Sequence, residues 1–258
     1  MKKYIYNFMK YKHLLSELVM RDIKVKYKRS YLGILWTLLN PLLMMVVLTI
    51  VFSTMFSKNI ENFPVYLLCG KIIFDFFSQS TNMAMGSIVG GSSLLKKVYI
   101  PKYVFPLSKT LFAFVNLLFS LLALFFVMIV TKVHFNATML LLPFPLIYIF
   151  LFALGVGLIL STATVFFRDI MHLYGVVLTA WMYFTPLFYP VEFMAERYPW
   201  ILRLNPLFHM IEMLRNIVLY NKIPTLRNHI VCLSFGVISV LVGLFVFYKK
   251  QDEFILNM

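Results

Sequence analysis

The chain has 258 residues, of which 61% are hydrophobic and only 13% are charged, whereas about 25% of the residues in a soluble domain are charged. This composition excludes an ordinary soluble enzyme and predicts an all-α integral membrane protein. The formal net charge is +14, but nine of the 24 Lys and Arg residues lie within residues 1–32, beside the first apolar segment. Such clustering is typical of the positive-inside rule and argues against nucleic-acid binding.

The N-terminal segment, residues 11–29, is basic and partly amphipathic. Its apolar and basic side chains fall on opposite sides of a helical projection, which predicts an interfacial helix on the cytoplasmic membrane surface. The alternative interpretation is a basic flank that only sets topology. The candidate functional residues on this helix are Leu18, Arg21, Asp22, Lys24 and Tyr27.

Six apolar segments predict six transmembrane helices, because a helix needs about 20 residues to cross the hydrocarbon core. They cover residues 32–56, 63–86, 104–130, 140–166, 173–190 and 229–248. Lys and Arg residues concentrate in the loops that this count places inside, so we expect both termini in the cytoplasm. Apolar pieces within residues 191–215 are too short to span, which predicts two re-entrant helices before the last span.

The cytoplasmic loop at residues 94–102 is both apolar and basic. A solvated loop would not need its apolar side chains, so the loop predicts a short helix that docks into a cytosolic partner. The alternative interpretation is a frayed end of the second span. The residues of interest are Leu94, Leu95, Lys96, Lys97, Val98, Tyr99 and Pro101.

Lys71 and Asp75 are four residues apart within the second span, so they share a helix face and can form an ion pair. Ionisable groups at membrane depth usually face a bundle interior or a wet cavity. The pair therefore indicates either a residue pair that lines a pathway or subunit interface, or a structural pair in which Lys71 extends outward.

Aromatic residues are abundant, with 27 Phe, 15 Tyr and 3 Trp. Aromatic faces can pack against the C–H faces of sugar rings, although Phe also faces lipid and Trp and Tyr gather at both membrane interfaces. The candidates for a substrate channel are Trp36, Phe52, Phe56, Phe74, Phe77, Trp181, Tyr183, Phe184 and Phe188.

Several kinds of chemistry have no sequence support. Cys69 and Cys232 lie within apolar segments and are expected to be buried packing residues. We find no paired carboxylates for catalysis and no cluster with metal-ligand spacing. Gly70-Lys71 imitates the end of a phosphate-binding loop, but the first Gly and the final Ser or Thr are missing. Any ATP that drives this protein must bind another subunit.

Five groups of residues form a set in chain order. They are Arg21-Asp22-Ile23-Lys24 with Tyr27, Ser30, Leu32-Gly33, Trp36 and Pro41; Leu94 to Pro101 with Pro106; Phe167-Arg168-Asp169-Ile170; Thr185-Pro186-Leu187-Phe188-Tyr189-Pro190; and Asn205-Pro206-Leu207 with Arg215. Together they resemble the polysaccharide-exporting ABC-2 type permeases of O-antigen, capsule and teichoic acid. The resemblance covers most of the chain.

The resemblance implies a single ABC-2 transmembrane domain over residues 1–258, in a homodimer in the bacterial cytoplasmic membrane. A lipid-linked polysaccharide would pass through a channel at the dimer interface, lined by the aromatic residues of spans one and five. Two copies of a separate ATPase subunit would hold ATP and Mg, and the permease would carry no cofactor. Residues 11–29 would be the gate helix, 94–102 the coupling helix beside Arg168 and Asp169, and 191–215 the outer re-entrant helices.

Three other functions remain open at this point. An ABC-2 permease for drugs or lipids would share the architecture, although the Arg21 to Pro41 motif argues for a polysaccharide. A membrane-embedded transferase for polyprenyl-linked sugars would need an acidic or metal-binding cluster, and we find none. A non-transporting scaffold would not need the Lys71–Asp75 pair or a broken segment at residues 186–206.

Overall fold

The computed structural model describes residues 2–28, 32–33, 35–56, 60, 62–98 and 100–257. Within these ranges, side chains are described from residue 11 onward, except those of residues 54 and 56. The described residues form helices and connecting loops, without strands. The α-helices are α1 (Lys2–Tyr27), α2 (Leu35–Phe56), α3 (Phe63–Met85), α4 (Ser87–Gly90), α5 (Ser92–Leu95), α6 (Val104–Val130), α7 (Pro143–Phe166), α8 (Ile170–Phe184), α9 (Val191–Arg197), α10 (Pro199–Leu204), α11 (Pro206–Val218) and α12 (Leu226–Lys250). Short 3-10 helices cover Ala137–Leu141 and Gln251–Leu256.

Four helical segments are long and apolar enough to cross a membrane: Leu35–Ser53, Val104–Val130, Ala137–Phe166 and Leu226–Leu256. They correspond to predicted spans one, three, four and six. Helix α3 has 23 residues, but Lys71, Asp75 and its polar second half lower its hydropathy. Helix α8 has only 15 residues and ends at Phe184, before Pro186, whose missing N–H ends helical hydrogen bonding. The structure thus supports four spans directly, and the six-span count remains a proposal.

Helix α3 is the centre of the bundle. Most of its residues are buried, and it packs against α2, α6, α7 and α11. Its N-terminus lies beside the end of α6, where the Asn62 amide donates to the Thr131 carbonyl at 3.5 Å. Helices α3 and α6 are therefore antiparallel, and their shared core extends over the length of the bundle.

Helices α7 and α12 form the closest helix pair. Gly155 lies directly against the backbone of Ser239, and Gly243 lies against the carbonyl group of Gly155. The Ser239 hydroxyl donates a hydrogen bond to the Phe152 carbonyl at 3.0 Å. Small residues at such a crossing let two backbones approach, which is the usual basis of helix association in membranes.

A second hydrophobic cluster lies at the end of the bundle that carries the C-terminus, which we call the basal end. It joins α1, α4, α5, the start of α6, the end of α7, the end of α12 and the C-terminal 3-10 helix. Its buried members are Leu15, Leu18, Ile88, Leu95, Ile100, Val104, Phe105, Leu158, Val165, Phe247 and Phe254. The N-terminal helix and the loop at residues 94–102 therefore share one core.

Three short helices, α9 to α11, lie between α8 and α12, whereas the sequence predicted two. Pro199 and Pro206 each stand at the start of a helix, a position that tolerates the missing N–H. Helix α11 has 13 residues, too few to span, and ten of them are buried against the rest of the bundle.

Candidate transport site

Helix α1 is fastened to α6 by polar contacts at two levels. The Lys109 Nζ lies 2.6 Å from Asp22 Oδ2, and both side chains are mostly buried. Five residues further along α1 and seven further along α6, the Tyr27 hydroxyl donates to Asn116 Oδ1 at 3.3 Å. Burial raises the pKa of Tyr27, although a hydrogen bond with Thr37 opposes the shift.

The remaining predicted residues of α1 divide between two environments. Leu18 is buried in the basal cluster, whereas Arg21 and Lys24 are exposed and line a groove with Tyr27. Arg21 also contacts Asp22 at 3.2 Å. Arg29, the last residue of the predicted interfacial helix, lies outside the described residues.

A cavity of about 510 Å³, lined by both polar and apolar groups, opens between α2, α3 and α6, next to the end of α1. We call it the polar cleft. Amide and hydroxyl groups make up most of its polar lining, with an aromatic ring at one side. The lining residues are Lys26, Trp36, Thr37, Asn40, Pro41, Met44, Lys71, Ile72, Asp75, Ser78, Gln79, Asn116 and Ser120.

Lys71 and Asp75 form an ion pair on the wall of the polar cleft, as their spacing predicted. The Asp75 side chain is 49% exposed, although most of α3 is buried. Asn82 is also exposed and Ser78 is half-buried, so the exposed side of α3 is polar between residues 71 and 82. On the other sides, Ile73 and Phe77 are fully buried. An apolar helix in lipid would show the reverse pattern.

The predicted channel aromatics do not form one continuous surface in the subunit. Trp36, Tyr183 and Phe184 are exposed, and Phe52 stacks on Phe188 with ring centroids 4.9 Å apart. The side chain of Phe56 lies outside the described part of the structure.

Two of the predicted channel residues belong to the core instead. Phe74 is buried, and Phe77 is fully buried between Phe152 and Trp181 at centroid distances of 5.3 and 5.1 Å. Phe77 therefore presents no surface to a substrate in this conformation, because its helix position faces α7 and α8 rather than the polar cleft.

Asn205 connects α8 to α11. Its Oδ1 accepts from the Trp181 Nε1 at 2.9 Å and also caps α11 through the Leu207 and Phe208 amides. Its Nδ2 donates to the Thr185 hydroxyl at 2.8 Å. One side chain thus links the end of α8 to the start of α11.

Arg215 makes a second connection, from α11 to α3 and to the loop at residues 185–190. The residue is only 2% exposed. Its Nη2 donates to the Leu187 carbonyl at 3.1 Å and its Nε to the Tyr66 carbonyl at 3.3 Å. The guanidinium also lies over the Tyr66 ring, 3.4 Å from the centroid. The sequence marked Arg215 only through its place in the motif set; a cation among apolar residues was the available signal.

The predicted coupling residues share the basal end but differ in exposure. Leu95 is buried and Leu94 is half-buried in the basal cluster. Both side chains therefore pack inside their own subunit and contribute little surface for contact with a partner. Lys96, Lys97, Val98, Arg168 and Asp169 are exposed, and Pro101 is half-buried. Tyr99 lies outside the described residues.

Phe167 is an exposed neighbour that the sequence marked only as part of a motif and not as a coupling residue. It is 70% exposed in the turn between α7 and α8, next to Arg168. Val165, two residues earlier, packs in the same basal cluster as Leu95, so this turn and the loop at residues 94–98 lie at one end of the bundle. An exposed Phe between a helix end and a charged turn was the available signal.

Comparisons with known proteins agree with this architecture. A family model described as ABC-2 type transporter matches residues 13–219. The O-antigen export system permease protein RfbA of Klebsiella pneumoniae is 30% identical over 93% of each chain, and its namesake from Myxococcus xanthus is 28% identical over 95% of each. The polysialic acid transport protein KpsM of Escherichia coli is 24% identical over 93% of this chain and 94% of its own. On these matches, this chain belongs to the ABC-2 type transporter family.

Proposed function

We propose that this chain is the permease subunit of an ABC exporter that moves a polysaccharide across the bacterial cytoplasmic membrane. The observation that carries the proposal is the near full-length similarity to relatives named for O-antigen and polysialic acid export. The subunit itself is a transport protein, and ATP and Mg belong to a partner ATPase.

The polar side of α3 supports a pathway along this face of the subunit. Asp75 and Asn82 are exposed there: Asp75 lines the polar cleft between α2 and α6, and Asn82 lines a second groove beside α1 and the start of α6. Polar groups at membrane depth require water or protein beside them. Two copies that meet with these faces opposed would enclose a polar channel, and each copy would contribute exposed aromatics such as Trp36 and Tyr183.

The same arrangement gives roles to both ends of the bundle. Helix α1 would be the gate helix at the cytoplasmic mouth, held to α6 by the Asp22–Lys109 pair. Helices α9 to α11 would form the outer re-entrant region, and α3 and α8 would complete six spans with both termini inside. The cargo would be a polysaccharide attached to a lipid carrier. The lipid could remain in the bilayer while the attached glycan passes through the channel.

The ATPase would dock on the exposed part of the basal end. Val98 and Phe167 offer apolar contacts, and Lys97 and Arg168 surround them with positive charge. The basal cluster lies directly behind this surface and contains Leu15 and Leu18 of α1. A displacement of the loop by the ATPase would therefore reach the gate helix through packed side chains.

Co-purification of an ATPase tests this proposal. The tagged chain should pull down, from native membranes in mild detergent, a protein with a phosphate-binding loop in stoichiometric amount. Val98→Glu and Phe167→Glu should each reduce that yield, because they place a carboxylate in an apolar contact. Ile223→Glu is the matched control, since Ile223 (74%) is at least as exposed as Phe167 (70%) and Val98 (52%) and lies in the loop before α12.

Two outcomes would contradict the proposal. One is a folded permease that never retains an ATPase under these conditions, which would favour a transferase or a scaffold. The other is equal loss of the ATPase in Ile223→Glu, which would show that the added charge acts through the stability of the subunit and not at the docking surface.

A further inference from the structure

The exposed side of α3 carries a narrow row of polar side chains. Lys71, Asp75, Ser78 and Asn82 follow one another at intervals of three or four residues, so they point in nearly the same direction. At 1.5 Å per residue the row extends about 16 Å along the helix. That length is roughly half the thickness of a bilayer core.

The facing walls of the polar cleft supply amides, hydroxyls and one aromatic ring. The Asn116 Nδ2 donates to Gln79 Oε1 at 3.2 Å, and Asn116 Oδ1 accepts from Tyr27. Each primary amide has two donor hydrogens and an acceptor oxygen with two lone pairs, so these bonds leave capacity for a ligand. Trp36 is 47% exposed beside them and offers an apolar face.

The charge of the cleft favours a neutral ligand at its centre. Lys71 is already paired with Asp75, so the middle of the row combines a donor and an acceptor without net charge. Lys26 also lines the cleft and leaves the whole lining with a net charge of +1; its Nζ lies over the rings of Tyr27 and Phe112, 5.4 and 5.5 Å from their centroids. Neighbouring hydroxyl groups of a sugar both donate and accept, which matches alternating amides and an ion pair.

We infer that the polar cleft is a glycan-binding subsite of the export pathway, which takes an uncharged, hydroxyl-bearing sugar unit of the polymer. This inference rests on the proposed function and adds the chemistry of the cargo at one position. Its volume of about 510 Å³ is within the range of about 300–1,000 Å³ that is usual for small-molecule sites. Trp36 would pack against the sugar ring while Asp75 and Gln79 bind its hydroxyls.

Cysteine protection tests the subsite directly. Cys69 and Cys232 are buried, so Ser78→Cys adds one accessible thiol, in the cleft. The probes are oligosaccharides cut from the surface polymer of the producing cells and separated by anion exchange into neutral and anionic fractions. In nanodiscs that contain the permease with its ATPase, the neutral fraction at four times its Kd should slow the reaction of this thiol with a methanethiosulfonate reagent about fivefold.

Two further variants keep the result interpretable. Ser120→Cys places the thiol on the α6 wall of the same cleft and should be protected equally, which covers the case in which Ser78→Cys does not fold. Leu256→Cys, at a position that is 85% exposed near the C-terminus, should react at the same rate with and without sugar.

The charge of the site is tested at the ion pair. Asp75→Asn leaves Lys71 without its carboxylate, so protection should shift toward the anionic fraction. The double exchange Lys71→Asp with Asp75→Lys keeps the cleft neutral and should retain protection by the neutral fraction.

With the Lys71–Asp75 pair intact, the inference is overturned if only the anionic fraction slows the reaction of the cleft thiol. It is also overturned if neither fraction slows that reaction. These failures are distinct from failure of the proposed function. A permease that retains its ATPase and exports polymer, but whose cleft thiols ignore every sugar fraction, would disprove only the subsite.

Discussion

The contact between α7 and α12 allows a quantitative prediction for Gly155→Ala. A Cβ at this position would lie 2.2 Å from the carbonyl carbon and 2.4 Å from the carbonyl oxygen of Ser239. Because these are backbone atoms, no side-chain rotation can relieve the overlap, and the helices must separate by about 1 Å in a close-packed interface. Such overpacking costs about 1–3 kcal/mol. Alanine regains about 1 kcal/mol of helix propensity, so we expect a net loss of about 1 kcal/mol.

The assay is thermal denaturation of the purified protein in one detergent, followed by size-exclusion chromatography of the remaining folded fraction. At about 2–4 °C per kcal/mol, Gly155→Ala should melt about 2–4 °C below the original chain. Gly175→Ala is the matched control, since a Cβ there meets no atom within 4 Å. The control should melt at or slightly above the original chain. Equal behaviour of the two variants would refute the packing argument.

The remaining predictions concern the polar connections. Asp22→Asn removes the carboxylate that Lys109 contacts at 2.6 Å, so the backbone amides of α1 should exchange with deuterium faster. An unchanged exchange rate would contradict the conclusion that this ion pair holds α1 against α6. Arg215→Lys loses the planar guanidinium that donates to two carbonyls and should lower the free energy of unfolding by about 2–3 kcal/mol. Asn205→Ala loses a helix cap and two side-chain hydrogen bonds and should cost about 2–4 kcal/mol, whereas Asn205→Asp, which keeps both acceptor roles, should cost less. Equal melting temperatures for the two Asn205 variants would contradict the role of the cap.

Hydrophobic length predicted much of the helical framework. The apolar runs at 104–130 and 229–248 correspond to α6 and α12, and the second span predicted over 63–86 agrees with α3, which ends at Met85. For the fifth span, the length of the apolar run overestimated the length of the helix. Helix α8 ends at Phe184, because Pro186 and Pro190 cannot continue helical hydrogen bonding. The three short helices before α12 follow from proline positions that could have been read as helix starts.

The candidate site was only partly predictable, because pairs within one helix are visible in a sequence and pairs between helices are not. The Lys71–Asp75 pair followed from its four-residue spacing and is confirmed. The Asp22–Lys109 pair joins residues 87 positions apart, and no local pattern connects them. Phe77 shows the converse limit, since an aromatic residue in a polar-faced helix can still point into the core.

The location of the polymer in cells that lack this chain is the most direct test of an export function. We expect deletion to stop delivery of the surface polysaccharide and lipid-linked polymer to accumulate on the inner side of the cytoplasmic membrane, with recovery when the chain is restored. Normal surface polymer in the deleted strain would contradict an export permease. So would the absence of polymer both from the cell surface and from the inner side of the membrane while the enzymes that synthesise it remain active.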